Sequence, residues 1–322
     1  MRRANPVLLL AVLAVMIVVV VVLVIQSQQS QPLSQPFDAR ALRAVDPALI
    51  THHQVDEWPL ELADPRAMAI ADDGTVLVLG EDALIGLDAT GIQRFRWSLP
   101  VAATALAARD GRILIAEQGR VHVVSGDGAV VMQVDLGPDS HVTAVDVING
   151  DLVVADARGR RVLRLDAEGA VVNTIPSRIP ADHYRVPELS MALHGHGGVV
   201  HVVNPGQLRI ESYDLAGNQV NLTGRSGSKI EDFSGCHNPV ALFVTEQGFL
   251  TGEKGVARVK QLDPDGRLLG VVPTPADFAN AQAIIAVLAD AQGRVLVLDG
   301  HRRMVRVFAE RAEGGDEDDD DE

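Results

Sequence analysis

Aromatic side chains are nearly absent from this chain, with seven Phe, two Trp and two Tyr among 322 residues. A core that cannot rely on large rings must be filled by aliphatic residues, and Val, Leu and Ala supply the apolar mass. Cysteine occurs once, at Cys236, which excludes an intrachain disulfide. Positive charge is also scarce. The formal net charge is -15, and gripping phosphate needs a positive surface, so a nucleic-acid partner is excluded. Common catalytic signatures are missing too. The sequence holds no Gly-x-Ser-x-Gly, no His-Glu-x-x-His, no phosphate loop and no Cys-x-x-Cys-His haem motif.

What is present begins with Arg2 and Arg3 ahead of an unbroken apolar run from Val7 to Ile25. A helix rising about 1.5 Å per residue makes such a run approach a bilayer core about 30 Å thick. The run is longer than a usual signal-peptide core, and the Gln/Ser stretch after it offers no small-x-small cleavage site. Residues 1–25 are therefore expected to form a retained, single-pass transmembrane helix in the cytoplasmic membrane. The arginines stay inside, and the rest of the chain is sent to the periplasm or extracytoplasmic space. Residues 26–36 are Gln, Ser and Pro with little to bury, as suits a flexible linker. At the other end, Asp316–Glu322 is wholly acidic, so residues 310–322 are expected to be a solvated, disordered tail.

Between these ends a unit recurs. It reads as an apolar run, a turn, a short β-rich run, a polar corner, a second β-rich run, and a turn ending in Gly. Paired glycines mark it at Gly74/Gly91, Gly111/Gly128, Gly150/Gly169, Gly198/Gly217 and Gly248/Gly266, spaced 17 to 19 residues apart. A sixth copy starts at Gly293 and stops after its third strand. Asp-Gly and Asn-Gly are hairpin dipeptides, because Gly tolerates the positive φ those turns require. The runs between them are rich in Val and Leu without helical periodicity. Residues 37–309 are thus predicted to be all-β, a six-bladed β-propeller of four-stranded blades. The incomplete sixth blade needs a strand from elsewhere, and the segment 37–61 around ITHHQV is the natural supplier.

The units VVADARGRRVLRLDAEG and VLVLDGHRRMVRVF resemble the NHL-repeat family. Its pattern is Pro, an apolar strand, Asp-Gly, a strand ending in Asp, an Arg-containing strand and Asp-Gly. The resemblance covers roughly residues 62–309 and implies an NHL-like propeller. The fifth unit, SGCHNPVALFVTEQGFLTGEKGVARVKQLDPDG, is similar to a group of bacterial NHL-repeat proteins whose blade carries Gly-Cys-Cys-Asn-Pro and Glu-Lys-Gly…Arg-Val-Lys. His237 stands where the second Cys is expected, so a dithiol role does not carry over, while a Cys-His ligand pair stays open. Propellers related to NHL repeats bear metal-dependent lyase or lactonase activity, which such a resemblance extends here only by analogy.

The linkers between blades are short early and long late, and long loops on a rigid scaffold are where function concentrates. The late half of that face is the candidate site. Asp156, Arg158, Tyr184, Arg185, Asn238, Glu253, Lys254 and Asp299 are its candidate ligand- or partner-binding residues. Asp156 and Asp299 also suit a turn-capping role, and Glu253-Lys254 a plain ion pair. Arg258 and Lys260 alternate with apolar residues and read as a solvated strand face. Cys236, His237, His141 and His301 are candidate ligands for a transition metal, zinc, copper or iron. Adjacent side chains on a strand point oppositely, so Cys236 and His237 need a loop to converge. Two functions follow. One is a membrane-tethered binding or scaffold module for a protein partner at the membrane or a small ligand. The other is a metal- or thiol-dependent redox enzyme or lyase centred on Cys236 and His237.

Overall fold

Each glycine-punctuated unit folds into a four-stranded antiparallel sheet, and there are six of them. The computed structural model describes residues 43–99, 102–178, 183–235 and 238–311, together with Met16. The first five blades span 67–98, 105–135, 142–175, 193–223 and 239–271. Their innermost strands neighbour one another in a closed ring, with the first also touching the sixth. The expected membrane helix, the linker and the acidic tail from residue 312 lie outside the described residues, as do Cys236 and His237. Among the described residues no helix is long and apolar enough to cross a membrane. Glu310, expected from the sequence to begin the tail, lies in the last strand.

The sharp turns follow from side-chain chemistry. Asp88, Asp166, Asp214 and Asp263 each open the turn between a blade's third and fourth strands. Each carboxylate accepts backbone N–H bonds, from Thr90 and Ile92, Glu168 and Ala170, Asn218, and Arg267 respectively. That mimics a backbone turn and leaves Gly to take the positive φ. Gly91 shows why the glycine is needed. Its φ is +81°, and a Cβ there would lie 2.2 Å from the Trp58 ring.

Adjacent blades meet through aliphatic surfaces. Leu114, Val121 and Val123 of the second blade pack with Val145, Leu152 and Leu163 of the third. Burial of such side chains is worth about 1.5–3 kcal/mol each.

The ring closes where the sequence requires it. The sixth blade takes its outermost strand from the N-terminal side, with His52–Pro59 paired antiparallel to Met304–Glu310 from His52↔Glu310 to Pro59↔Met304. Trp58 buries its ring between the sixth and first blades and is 3% exposed. Its indole N–H donates to Asp56 at 2.9 Å. Leu60 N–H then reaches Arg303 O at 2.9 Å, carrying the chain over the end of the blade.

This closure predicts a clear contrast in urea unfolding of the full chain. Trp58→Ala should lose about 3–5 kcal/mol, the cost of emptying a large buried ring site. Val55→Ala, on the exposed side of the same strand, should change stability by less than about 0.5 kcal/mol. Equal losses would mean that the strand does not close the ring.

Candidate functional site

In four blades the residue ending the second strand sits directly opposite an arginine that begins the third. The pairs are Glu117/Arg120, Asp156/Arg161, Asn204/Arg209 and Glu253/Arg258. Asp156 shows what the corner does. Its carboxylate accepts from Gly159 N–H at 3.0 Å, His141 N–H at 2.9 Å and Arg161 Nε at 3.0 Å. Burial alone would raise its pKa, but these bonds outweigh burial and hold the carboxyl below its usual range. Asp299 likewise accepts Arg302 N–H at 2.9 Å.

Two residues further along the third strand lies a position with a different use in the two halves of the ring. In the first three blades it holds Gly86, His122 and Leu163. In the last three it holds Glu211, Lys260 and Arg306, all buried. Each of these three charges reaches the linker that enters its own blade. Those linkers, 176–192, 224–238 and 272–283, are the long ones; their early counterparts are 99–104 and 136–141.

Glu211 binds His183 Nε2 at 2.6 Å on the first long linker. Its other partners are Tyr213 OH at 2.5 Å, Arg209 Nε at 2.7 Å and Asn204 Nδ2 at 3.0 Å. Burial pushes this carboxyl up, and the bonds from Tyr213, His183 and Arg209 bring it below its ordinary value. Asn204 completes the hold by accepting Arg185 N–H at 3.1 Å.

Lys260 donates to the carbonyls of Ile230 at 3.1 Å and Asp232 at 2.9 Å, and lies 4.2 Å from the centroid of the Phe233 ring. Its counter-charge is Glu253 at 2.9 Å, a carboxylate that also pairs with Arg258. Burial pulls the Lys260 ammonium down from its usual value, with Glu253 opposing. Arg306 donates to Asp277 O and packs 4.9 Å from the Phe278 centroid. Its Nε donates to Gln54 at 2.9 Å.

Two sequence expectations are corrected here. Arg258 and Lys260 are not a solvated face, because residues 230–233 of the linker lie over Lys260 and Arg258 pairs with the buried Glu253. Glu253 and Lys254 are not a pair either. Glu253 turns inward to Arg258 and Lys260, while Lys254 pairs with Glu188 of the neighbouring linker.

The pinned linkers border one side of the mouth of a central channel of about 1340 Å³, and the short linkers of the first three blades border the other. Its walls are wide because small residues face it, with Ala69, Ala107, Ala144, Ala192, Ala241 and Ala286 contributing one from each blade. Arg66, Thr104, His141, Glu188, Lys254 and Gln282 line the mouth. Asn238 lies buried beside it, 3% exposed, and its Oδ1 has no hydrogen-bond partner among the described residues.

The candidate residues therefore separate. His141 and Lys254 reach the mouth, and Asn238 borders it. Asp156, Glu253 and Asp299 are buried in blade corners, and Tyr184 in the core between the third and fourth blades. Arg158, Arg185 and His301 are exposed on the same face but do not line the channel. Among the described residues no three His, Cys, Asp or Glu side chains converge on a metal position. Gly235, which precedes Cys236 and His237, lines the channel. Glu211, Lys260, Arg306 and Glu188 escaped sequence reasoning. For Glu211, Lys260 and Arg306 the signal available was a charge two residues after the start of the third strand in each blade entered by a long linker; Glu188, on a linker, carried none.

Two histidines on the fourth blade link stability to acid. Burial lowers His201 from the usual imidazole value of 6.5 to about 4, with His196 adding to the effect. Burial also holds His194 well below 6.5, assisted by Arg109. Groups that protonate in the unfolded chain but not in the folded one withdraw stability as pH falls below 6.5, until about 4 for His201. Urea unfolding should therefore give a lower stability at about pH 5 than at about pH 7.5. His201→Gln should recover on the order of 1 kcal/mol of that loss. A pH-independent difference between the two proteins would contradict this assignment.

No family model matches the chain, and no curated protein matches it. Solved structures do. A streptogramin B lyase superposes with a TM-score of 0.60 at 12% identity, covering 83% of this chain and 100% of that one. The virginiamycin B lyase of Staphylococcus aureus gives 0.55 at 16% identity, covering 76% and 81%. A catalytically inactive form of that enzyme with quinupristin gives 0.56 at 14% identity, covering 81% and 89%. At these identities the likeness is one of fold, and the chain is a six-bladed β-propeller.

Proposed function

We propose that this chain is a binding module of the NHL-repeat kind, tethered to the outer side of a membrane by residues 7–25. Its long-linker face holds a protein partner or a small ligand. The observation that carries this reading is the pinning of three long linkers around one channel mouth. A loop that only joins two strands gains nothing from a dedicated buried charge. A loop that must present a fixed surface gains preorganisation, and association then costs less ordering entropy. The mouth offers both signs of charge through Lys254 and Glu188, uncharged donors and acceptors through Thr104 and Gln282, and the imidazole of His141. The corner pairs Asp156/Arg161 and Glu253/Arg258 support the NHL kinship, since that pattern ends one strand in an acid and places arginine in the next.

A second reading is a metal- or thiol-dependent lyase or redox enzyme centred on Cys236 and His237. Two observations favour it. Gly235 lines the channel immediately before that pair, with His141 on the same mouth, and the three solved structures described above are of lyases. Cysteine and histidine suit zinc, copper or iron.

Site-specific photo-crosslinking in intact membranes separates the two. A crosslinker at Arg185 or His301, both exposed on the long-linker face, should yield a discrete adduct that is absent when it sits at Val130 on a blade's outer edge. No adduct from either face position would contradict the binding reading. Near-stoichiometric metal in the purified chain, lost in both Cys236→Ser and His237→Ala, would then support the second.

A further inference from the structure

The opposite half of the channel carries polar chemistry that the mouth does not use. Arg109 ends the second blade's inner strand and places its Nε 3.4 Å from Asp146 of the third blade. Asp146 is already committed on its other sides. It accepts Val147 N–H at 2.8 Å and Gly195 N–H at 2.6 Å, the latter from the fourth blade. The remaining guanidinium N–H groups of Arg109 stay available, because its side chain is 33% exposed and lines the channel.

His194 stands nearby on the fourth blade and also lines the channel. Its ring tilts against Phe243 of the fifth blade, with centroids 4.4 Å apart. Its Nδ1 is buried and has no hydrogen-bond partner among the described residues. An orphaned N–H costs more than an orphaned lone pair, so the neutral ring keeps its proton on Nε2. Arg109 and His194 are then both hydrogen-bond donors, set beside an aromatic wall and below a lining of alanines.

We propose that this half of the channel is a second ligand site, which takes a small organic acid: a carboxylate carried on an apolar body. The carboxylate meets the free N–H groups of Arg109 and the Nε2–H of His194, and the body lies against Phe243 and the alanine-lined wall. Guanidinium and carboxylate match in planar geometry, and hydrogen bonds to charged groups are the stronger kind. Burial pushes the Asp146 carboxyl up from its ordinary value. The backbone N–H groups of Val147 and Gly195 oppose that shift and hold the carboxylate in place, so an incoming anion meets only the Arg109 N–H groups that face the channel. Asp110 and Asp72 also line the channel and are the charges that oppose an anion there. The site stands apart from the mouth and does not depend on what the mouth binds.

Isothermal titration of the full chain in nanodiscs tests it, with phenylacetate as the probe, phenylacetamide as its uncharged counterpart, and empty nanodiscs as the blank. Phenylacetate should bind with a millimolar or tighter Kd and phenylacetamide much more weakly. Arg109→Gln and His194→Phe should each weaken phenylacetate by about tenfold or more. Arg94→Gln, which removes an exposed charge on a blade edge, should leave it unchanged. His194→Phe keeps the stacking on Phe243 and leaves the Arg109–Asp146 pair in place, so it decides the matter if Arg109→Gln melts early. No binding of phenylacetate, equal binding of the amide, or undiminished binding in a folded His194→Phe would overturn the proposal. Binding lost in Lys254→Ala but retained in Arg109→Gln would place the acid at the mouth and overturn it equally.

Discussion

The long linkers of the last two blades turn backbone carbonyls to the buried cations Lys260 and Arg306, and that of the fourth blade turns the His183 ring to the buried carboxylate of Glu211. A linker of this length is expensive to order and is normally left mobile on the surface. Here each is tied at a point where its backbone or a side chain enters a buried polar cluster. The clusters are complete enough to be tolerated. Lys260 has Glu253 as its counter-ion and Arg258 beside it, so no charge is buried alone. Glu211 has His183, Tyr213, Arg209 and Asn204. Removing one member from such a set leaves the others uncompensated, which makes the linkers' order depend on the whole cluster.

That constraint explains the asymmetry of the ring. The first three blades have short linkers and hold Gly86, His122 or Leu163 at the equivalent position. Nothing there needs to be held down. The last three have both the long linker and the charge. The scaffold beneath is indifferent to this difference, because every blade packs on its neighbours through buried apolar side chains, mostly Val, Leu and Ala, and closure rests on Trp58 and the strand His52–Pro59. A rigid ring with one elaborated arc is a suitable platform for recognition. Small residues on the inner strands leave a channel where larger ones would have filled it, and so give that arc a cavity to surround.

Much of this architecture was legible in residues. The Asp-to-Gly turns, the Val-rich runs and the unfinished sixth copy specify the blades and call for an N-terminal closing strand. Asp156 and Asp299, read as candidate binding residues or turn caps, accept the backbone N–H bonds of a cap. The buried charges were not legible. Period-two alternation places Arg258 and Lys260 on a face without saying what covers it, and the cover is a linker with no regular pattern of its own. The same limit hid Glu188 as the partner of Lys254, since a corner of one blade meets the linker of its neighbour only once the ring has closed. His194, Arg109 and Asp146 sit on different blades and share no sequence spacing at all.

The central claim is that buried charges fix the long linkers, and hydrogen exchange of the full chain tests it most directly. Lys260→Met should speed exchange at backbone amides across residues 224–235 by tenfold or more, with the other long linkers and the blade strands little changed. Such a local effect follows if the ammonium's bonds to the Ile230 and Asp232 carbonyls hold that linker in place. Exchange in that linker as slow as in the unaltered chain would contradict the account, and its order would then have to come from apolar packing around Phe233.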